Sequence, residues 1–226
     1  MFDREKSRDI VLPQEFDREL LTPLSVPIEG TMYSSSLLIA EEGTLFVKTL
    51  RPDVTNRFRG MGATLDEFFD HQEATHHNVA RYMDDESVRY MLPSTFCRLD
   101  QKGEQSFHIV QPYATGGVQY KQFRDTSQTL PQSYLPSFEE RVDFAHRIGS
   151  LQNETRKLLD LDFFIVGAGV PHIIVFDATF MWYDKREGKD KSEQGYNLVK
   201  FLFPVGEERD PDQERLVIDV RKHLMG

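Results

Sequence analysis

Cysteine, basic charge and long apolar runs are all scarce in this sequence of 226 residues. Its one cysteine, Cys97, can form no internal disulfide, so we expect a reducing, cytoplasmic setting. With 27 Lys and Arg against 37 Asp and Glu, the net charge is -10, which argues against nucleic acid as a partner. The longest apolar stretch, Phe163–Phe176, is interrupted by glycine, proline and histidine, and the charged start has no apolar run behind it. The sequence therefore predicts no membrane span and no signal peptide.

Motifs of three other enzyme classes are incomplete. His71, His76 and His77 are spaced by five and one, so they do not form the i, i+4 zinc pair of a metal hydrolase. The stretch Gly167–Gly169 lies between two short strand-like runs and lacks the third glycine of a dinucleotide loop. No Gly-x-Ser-x-Gly elbow is present, which argues against a hydrolytic triad.

The first half of the sequence alternates strand pairs with a helix. Two β-type runs, Leu37–Ala40 and Leu45–Val47, flank a short link that contains glycine. The stretch Thr64–Glu67 is a capping box, which predicts a helix start. A second predicted hairpin joins Ser94–Leu99 to Phe107–Gln111. The predicted order is strand, strand, helix, strand, strand, with residues 1–24 as an arm or short helix that docks on the body.

The second half is predicted to be mainly helical. Ser137 caps an amphipathic helix predicted over Phe138–Leu159. A third hairpin pairs Phe163–Val166 with Ile173–Phe176 and ends at Asp177, and a last helix is predicted over Pro211–Leu224. We therefore expect an α+β chain with an antiparallel N-terminal sheet and a reduced, mainly helical C-terminal part.

Lys48 stands alone among apolar neighbours, about 18 residues after the start of the stretch Gly30–Ser36. An exposed lysine on an edge strand is one interpretation, since such lysines discourage sheet aggregation. An inward lysine that contacts phosphate is the other. The residues downstream decide which interpretation is favoured.

Taken together, the segments from Leu24 to Asp177 resemble the protein-kinase-like fold, with residues 25–114 as the N-lobe and 115–226 as a reduced C-lobe. The resemblance implies ATP and Mg²⁺ bound in a cleft between the lobes. It implies that Gly30 and Ser34 lie in the loop over the phosphates and that Lys48 contacts them. Glu73 would orient the lysine, because it borders the inward side of the helix, whereas Glu67 is explained by the capping box.

The same resemblance places an adenine-binding hinge and a metal ligand. Gln111 takes the gatekeeper place, the Pro112 carbonyl would accept from the adenine amino group, and the Ala114 N–H would donate to the ring. Asp177 follows a strand where the family carries its Mg²⁺-binding aspartate, although Asp-Ala-Thr stands here in place of Asp-Phe-Gly.

The catalytic loop departs from the family. Asp160 or Asp162 could position the acceptor hydroxyl, but Phe163, Phe164 and Ile165 stand where the metal-binding asparagine should be. No Ala-Pro-Glu motif is present, and 49 residues follow Asp177. Two hypotheses remain: a minimal kinase that transfers phosphate to a protein, or a pseudokinase-type scaffold that acts by binding a partner protein through its cleft, its arm or its C-terminal segment.

Overall fold

The chain divides into two compact units. The computed structural model describes residues 10–24, 32–41, 43–54, 64–114, 117–120, 130–155, 159–167, 170–180 and 191–225. Unit 1 contains Met1–Ala74 and Leu92–Thr115, and unit 2 contains Thr75–Met91 and Gly116–Gly226. Within the described ranges, no helix is long and apolar enough to cross a membrane.

Unit 1 is built on a five-stranded antiparallel sheet in the order β1-β2-β3-β5-β4. The strands are β1 (Thr22–Pro23), β2 (Tyr33–Ala40), β3 (Gly43–Leu50), β4 (Thr95–Gln101) and β5 (Glu104–Pro112). Helix α1 (Leu65–Met83) connects β3 to β4, and its C-terminal half belongs to unit 2. The predicted order of two strands, a helix and two strands is confirmed.

Two local features fix the ends of these elements. Thr64 and Glu67 form the predicted capping box: the Thr64 N–H donates to Glu67 Oε2 at 2.8 Å, and the Glu67 N–H donates to Thr64 Oγ1 at 3.2 Å. These hydrogen bonds, the Thr64 backbone one first, hold the pKa of Glu67 below its usual value. Lys102 and Gly103 turn the β4–β5 hairpin with positive φ at both residues, which is typical of a two-residue hairpin loop.

Both faces of this sheet are covered. On one side, which we call the arm face, Leu38, Leu45, Val47, Cys97, Leu99 and Val110 pack with Ile10, Leu12, Phe16 and Leu21 of the N-terminal arm. On the other side, the helix face, Leu50, Phe107 and Ile109 pack with Phe68 and Phe69 of α1. Strands that are buried on both faces need apolar residues at successive positions, and β3 and β5 have them.

Unit 2 combines a three-stranded antiparallel sheet with helices. The strands, in the order β6-β7-β8, are β6 (Val118–Gln119), β7 (Leu159–Val166) and β8 (His172–Phe180). The helices are α2 (Phe138–Thr155), α3 (Lys191–Leu202) and α4 (Pro211–Met225). Phe144, Phe163 and Phe201 meet in its core with ring centroids 5.1 and 5.6 Å from the Phe163 ring.

The prediction for α2 was too long. The helix ends at Thr155, and Leu159 already belongs to β7. The physical reason is visible in the alternation of Leu159, Leu161 and Phe163 with polar residues, because a period of two fits a strand rather than a helix. The segment predicted as a catalytic loop is therefore part of a hairpin.

A buried arginine connects three parts of unit 2. Arg141 of α2 is 3% exposed and donates to the Leu202 carbonyl at the end of α3 at 2.6 Å. It also makes two hydrogen bonds to the Glu207 carboxylate, at 2.9 and 2.5 Å. Burial alone would raise the pKa of Glu207, but the hydrogen bonds and charges of Arg141 and Arg209 outweigh it and leave the pKa lowered.

We predict that Arg141→Met lowers the free energy of unfolding by about 3–5 kcal/mol, because it leaves a partly buried carboxylate without its main partner. The double variant Arg141→Met with Glu207→Leu should recover part of this loss, since neither charge is then buried. Urea denaturation followed by far-UV circular dichroism measures both. A single variant as stable as the wild type would contradict the importance of this pair.

We predict that acid destabilises the protein through His108 on the arm face. This fully buried side chain lies within 2.9 Å of Thr49 Oγ1 and 2.8 Å of Ser106 Oγ. Burial, with a smaller contribution from the charge of Arg18, lowers the pKa of His108 to about 4 from 6.5. Between pH 6.5 and pH 4 the unfolded chain therefore binds more protons than the folded chain. The free energy of unfolding is highest above pH 6.5 and falls as the pH is lowered towards 4.

From the linkage relation, we expect the free energy of unfolding to fall by about 2 kcal/mol between pH 7 and pH 5. Denaturation curves at the two pH values measure it. The His108→Gln variant, which cannot titrate there, should lose distinctly less over the same range. An equal loss in both proteins would assign the acid sensitivity to other groups.

Candidate functional site

Lys48 is a buried lysine in the middle of a sheet. It lies on β3, pairs with Ser35 of β2 and Ile109 of β5, and is only 7% exposed. Since alternate residues of a strand share a face, Lys48 belongs with Leu50 on the helix face. The edge-strand interpretation is excluded, because β3 has a neighbour on each side.

Glu73 lies on α1 and borders the buried side of the helix, as predicted, with its side chain 34% exposed. Its Oε2 atom is 3.7 Å from Nη1 of Arg98, which is on the edge strand β4. Arg98 also contacts Asp66 and Asp70 of the same helix, and its guanidinium carbon lies 5.0 Å from the centre of the Phe69 ring. One corner of α1 is thus fixed to the edge of the sheet by a shared arginine.

Gln72 is a polar residue of α1 whose role as a contact the sequence did not reveal. It is buried, and its Oε1 atom accepts a hydrogen bond from the Tyr33 hydroxyl at 3.3 Å. Tyr33 pairs with Leu50 in the β2–β3 register. Gln72 lies on the same side of α1 as the buried Phe68 and Phe69. A polar residue at such a position indicates a buried hydrogen bond, since a buried amide needs a polar partner.

The predicted loop residues over the phosphates are only partly described. Gly30 lies outside the described residues. Ser34 is on β2, opposite Thr49, and its hydroxyl donates to the Thr49 carbonyl at 3.3 Å. Ser34 therefore belongs to the arm face, whereas its neighbour Ser35 is the residue paired with Lys48.

The predicted hinge follows directly from the end of β5. Gln111 is buried, and its amide donates to the Ser94 hydroxyl at 2.8 Å. Pro112 pairs with Leu45 of β3, which is compatible with proline at the end of a strand. The next residue, Tyr113, donates its N–H to the Thr44 carbonyl at 3.1 Å, so the chain is held to β3 up to the residue before Ala114.

Asp162 and Asp177 face each other across the β7–β8 hairpin in unit 2. They are direct partners in the register, and a bulge follows between Asp162 and Phe163. Directly opposed residues of an antiparallel pair have Cβ atoms about 4.5–5.5 Å apart. Two predictions about these residues need correction: Asp177 lies inside β8 rather than after it, and neither Asp162 nor Asp160 is in a loop, since Asp160 pairs with Thr179.

Gln119 of β6 is a neighbour of this carboxylate pair that the sequence did not indicate. Its side-chain amide donates to Asp162 Oδ2 at 2.6 Å. β6 has only two residues, too few for a recognisable strand pattern, so no signal in the sequence pointed to it. The hydrogen bond fixes one oxygen of Asp162.

A solved structure is similar to this chain over most of its length. The architecture is α+β, with the element order that the kinase-like resemblance implies. Among solved structures, the chain aligns with a double mutant of the PknI kinase domain of Mycobacterium tuberculosis at 14% identity and a TM-score of 0.45. The alignment covers 95% of this chain and 91% of that chain. No protein-family model and no curated protein matches the sequence.

We predict that Asp177→Asn stabilises the protein in the absence of divalent metal, because like charges directly opposed on neighbouring strands destabilise a sheet. The melting temperature in EDTA should rise by about 1–3 °C. The matched control is Asp100→Asn on β4, an exposed aspartate paired with Gln105, which should change it little. A lower melting temperature for Asp177→Asn would show that its charge is stabilising.

Proposed function

We propose that this protein binds ATP with Mg²⁺ and has weak or atypical phosphotransferase activity towards a protein. The observation that carries the proposal is the burial of Lys48 on the helix face of the unit 1 sheet. Lysine is rarely buried to this extent, and its compact ammonium is a point charge that suits phosphate oxygens. In this proposal Lys48 contacts the phosphates, and Glu73 restricts its position.

Adenine recognition is proposed for the chain segment after β5. The Pro112 carbonyl would accept from the adenine amino group and the Ala114 N–H would donate to the ring, with buried Gln111 behind them. Proline is compatible with this role because only its carbonyl is needed. Since Ser35 rather than Ser34 pairs with Lys48, Ser35 is the hydroxyl that we assign to the phosphate side.

Mg²⁺ fits the carboxylate pair of unit 2. Asp162 and Asp177 offer hard oxygen donors, and Mg²⁺ in nucleotide sites commonly takes one or two carboxylates plus phosphate oxygens. The hydrogen bond from Gln119 to Asp162 Oδ2 orients one of the two carboxylates. When bound, the ion would neutralise phosphate charge. Asp162 would thus be the second metal ligand, in place of the metal-binding asparagine that the sequence pattern lacks.

A catalytically inactive, partner-binding scaffold is the second candidate. The observation that favours it is the strand pairing of Asp160 and Asp162, because the backbone of both residues is fixed to β8. In the active family this segment is a loop that can present an aspartate to the acceptor hydroxyl. Asp160, two residues before Asp162, is the remaining candidate for that role.

A thermal-shift titration with ATP and MgCl₂ tests nucleotide binding, because a ligand that prefers the folded state raises its stability. We expect the melting temperature of the wild type to rise by about 5–10 °C at an ATP concentration about a hundredfold above Kd. Lys48→Met and Asp177→Asn should lose most of this rise. Lys102→Met is the matched control, since Lys102 is exposed on the β4–β5 turn.

Labelling with [γ-³²P]ATP then separates the two candidates. Transfer to the protein itself or to a protein acceptor, lost in Lys48→Met, would support the phosphotransferase. A nucleotide-dependent shift without transfer would assign the protein to the scaffold. No shift for the wild type, or the same shift for Lys48→Met, would contradict the nucleotide site.

A further inference from the structure

A groove between α3 and α4 is the feature of unit 2 that the proposed function leaves unexplained. It has a volume of about 450 Å³. Tyr196, Val199 and Lys200 line it from α3 at helical spacing, and Ile218 and Arg221 line it from α4. The Arg221 guanidinium carbon lies 5.7 Å from the centre of the Tyr196 ring, so the two antiparallel helices meet at that end.

Three exposed apolar side chains line this groove. Val205, in the loop between the helices, is 92% exposed, Tyr196 is 49% exposed and Ile218 is 45% exposed. Single exposed apolar residues are ordinary, but a contiguous set around a concave surface is typical of a binding site. Val199 and Val217 continue the apolar lining into the groove.

The charges that remain available in the groove are positive. Its two carboxylates are engaged: Glu207 by Arg141 and Arg209, and Glu214 by Arg209, with Nη1 to Oε2 at 3.0 Å. Across the described part of the chain, no carboxylate lies within ion-pair distance of Lys200 or Arg221, and both are exposed. This positive rim occurs on a chain whose net charge is -10.

We propose that the α3–α4 groove binds a short acidic amphipathic helix of a partner protein. From Tyr196 to Leu202, α3 rises about 9 Å, which suits somewhat less than two turns of a bound helix. Apolar side chains of the partner would pack on Val205 and Ile218, and its carboxylates would pair with Lys200 and Arg221. A groove favours a helix over a membrane surface, because a flat bilayer cannot fill a concave site. The site uses none of the residues assigned to ATP and Mg²⁺.

The probe is a fluorescein-labelled peptide of two Leu-Glu-Glu-Leu-Leu-Glu-Glu heptads, which has an acidic face and an apolar face. Its counterpart has lysine in place of every glutamate. Fluorescence anisotropy with the full chain should show binding of the acidic peptide and at least about tenfold weaker binding of the basic one. The double variant Lys200→Glu with Arg221→Glu should reverse this preference.

Two further variants separate the groove from general charge effects. Arg215→Glu with Lys222→Glu makes the same charge change on α4 outside the groove lining, at exposed residues paired with Asp212 and Asp219. It should retain the preference for the acidic peptide. Val205→Ser with Ile218→Ser, both at exposed positions, should weaken binding at least about tenfold while the far-UV spectrum is unchanged.

The proposal is overturned if the acidic peptide does not bind, or if the groove and control reversals have the same effect. It is also overturned if anionic phosphatidylserine vesicles bind in a groove-dependent way and the peptide does not. Groove-dependent dimerisation without peptide binding would instead assign the surface to a second copy of the chain. ATP titration of the groove variants should match the wild type, so failure here is distinguishable from failure of the nucleotide site.

Discussion

The buried pair of Arg141 and Glu207 is the interaction on which the helical part of unit 2 depends. A guanidinium that is 3% exposed can be tolerated only if its donors are satisfied, and here they reach a carboxylate and three backbone carbonyls, those of Pro136, Ser137 and Leu202. The Leu202 carbonyl belongs to the last turn of α3, where carbonyls lack helical partners. Arg141 therefore connects the end of α3 to the loop that leads to α4, at one end of the α3–α4 groove.

A different constraint governs unit 1, because its central strands are buried on both sides. The N-terminal arm covers one face of the sheet and α1 covers the other. A polar residue in the covered part of β3 or β5 must then find its partners inside. His108 lies between two hydroxyls on the arm face, with the Phe16 ring 5.1 Å away, and Lys48 lies on the helix face. The same double cover that makes His108 sensitive to acid makes Lys48 a buried charge.

Local patterns predicted much of the fold, and long-range pairing explains what they missed. The capping box at Thr64 and the hairpin turn at Lys102–Gly103 involve neighbours in sequence, so both could be recognised from the sequence. The hydrogen bond from Gln119 to Asp162 joins residues 43 positions apart through a two-residue strand, for which no periodicity exists. The alternation of apolar and polar residues from Leu159 indicates a strand, but the helix prediction that began at Phe138 was extended as far as Leu159. A prediction from family spacing also favoured a loop there.

Two departures from ordinary folding rules coincide with residues that the sequence singled out. Asp162 opposite Asp177 places like charges on adjacent strands, and Lys48 places an ammonium inside a sheet. Local rules are most often broken where a site needs the group. One departure lies in unit 1 and carries a positive charge, and the other lies in unit 2 and carries negative charges. The α3–α4 groove differs, because its charged side chains Lys200 and Arg221 are exposed to solvent. This is expected for a surface that only has to recognise a partner.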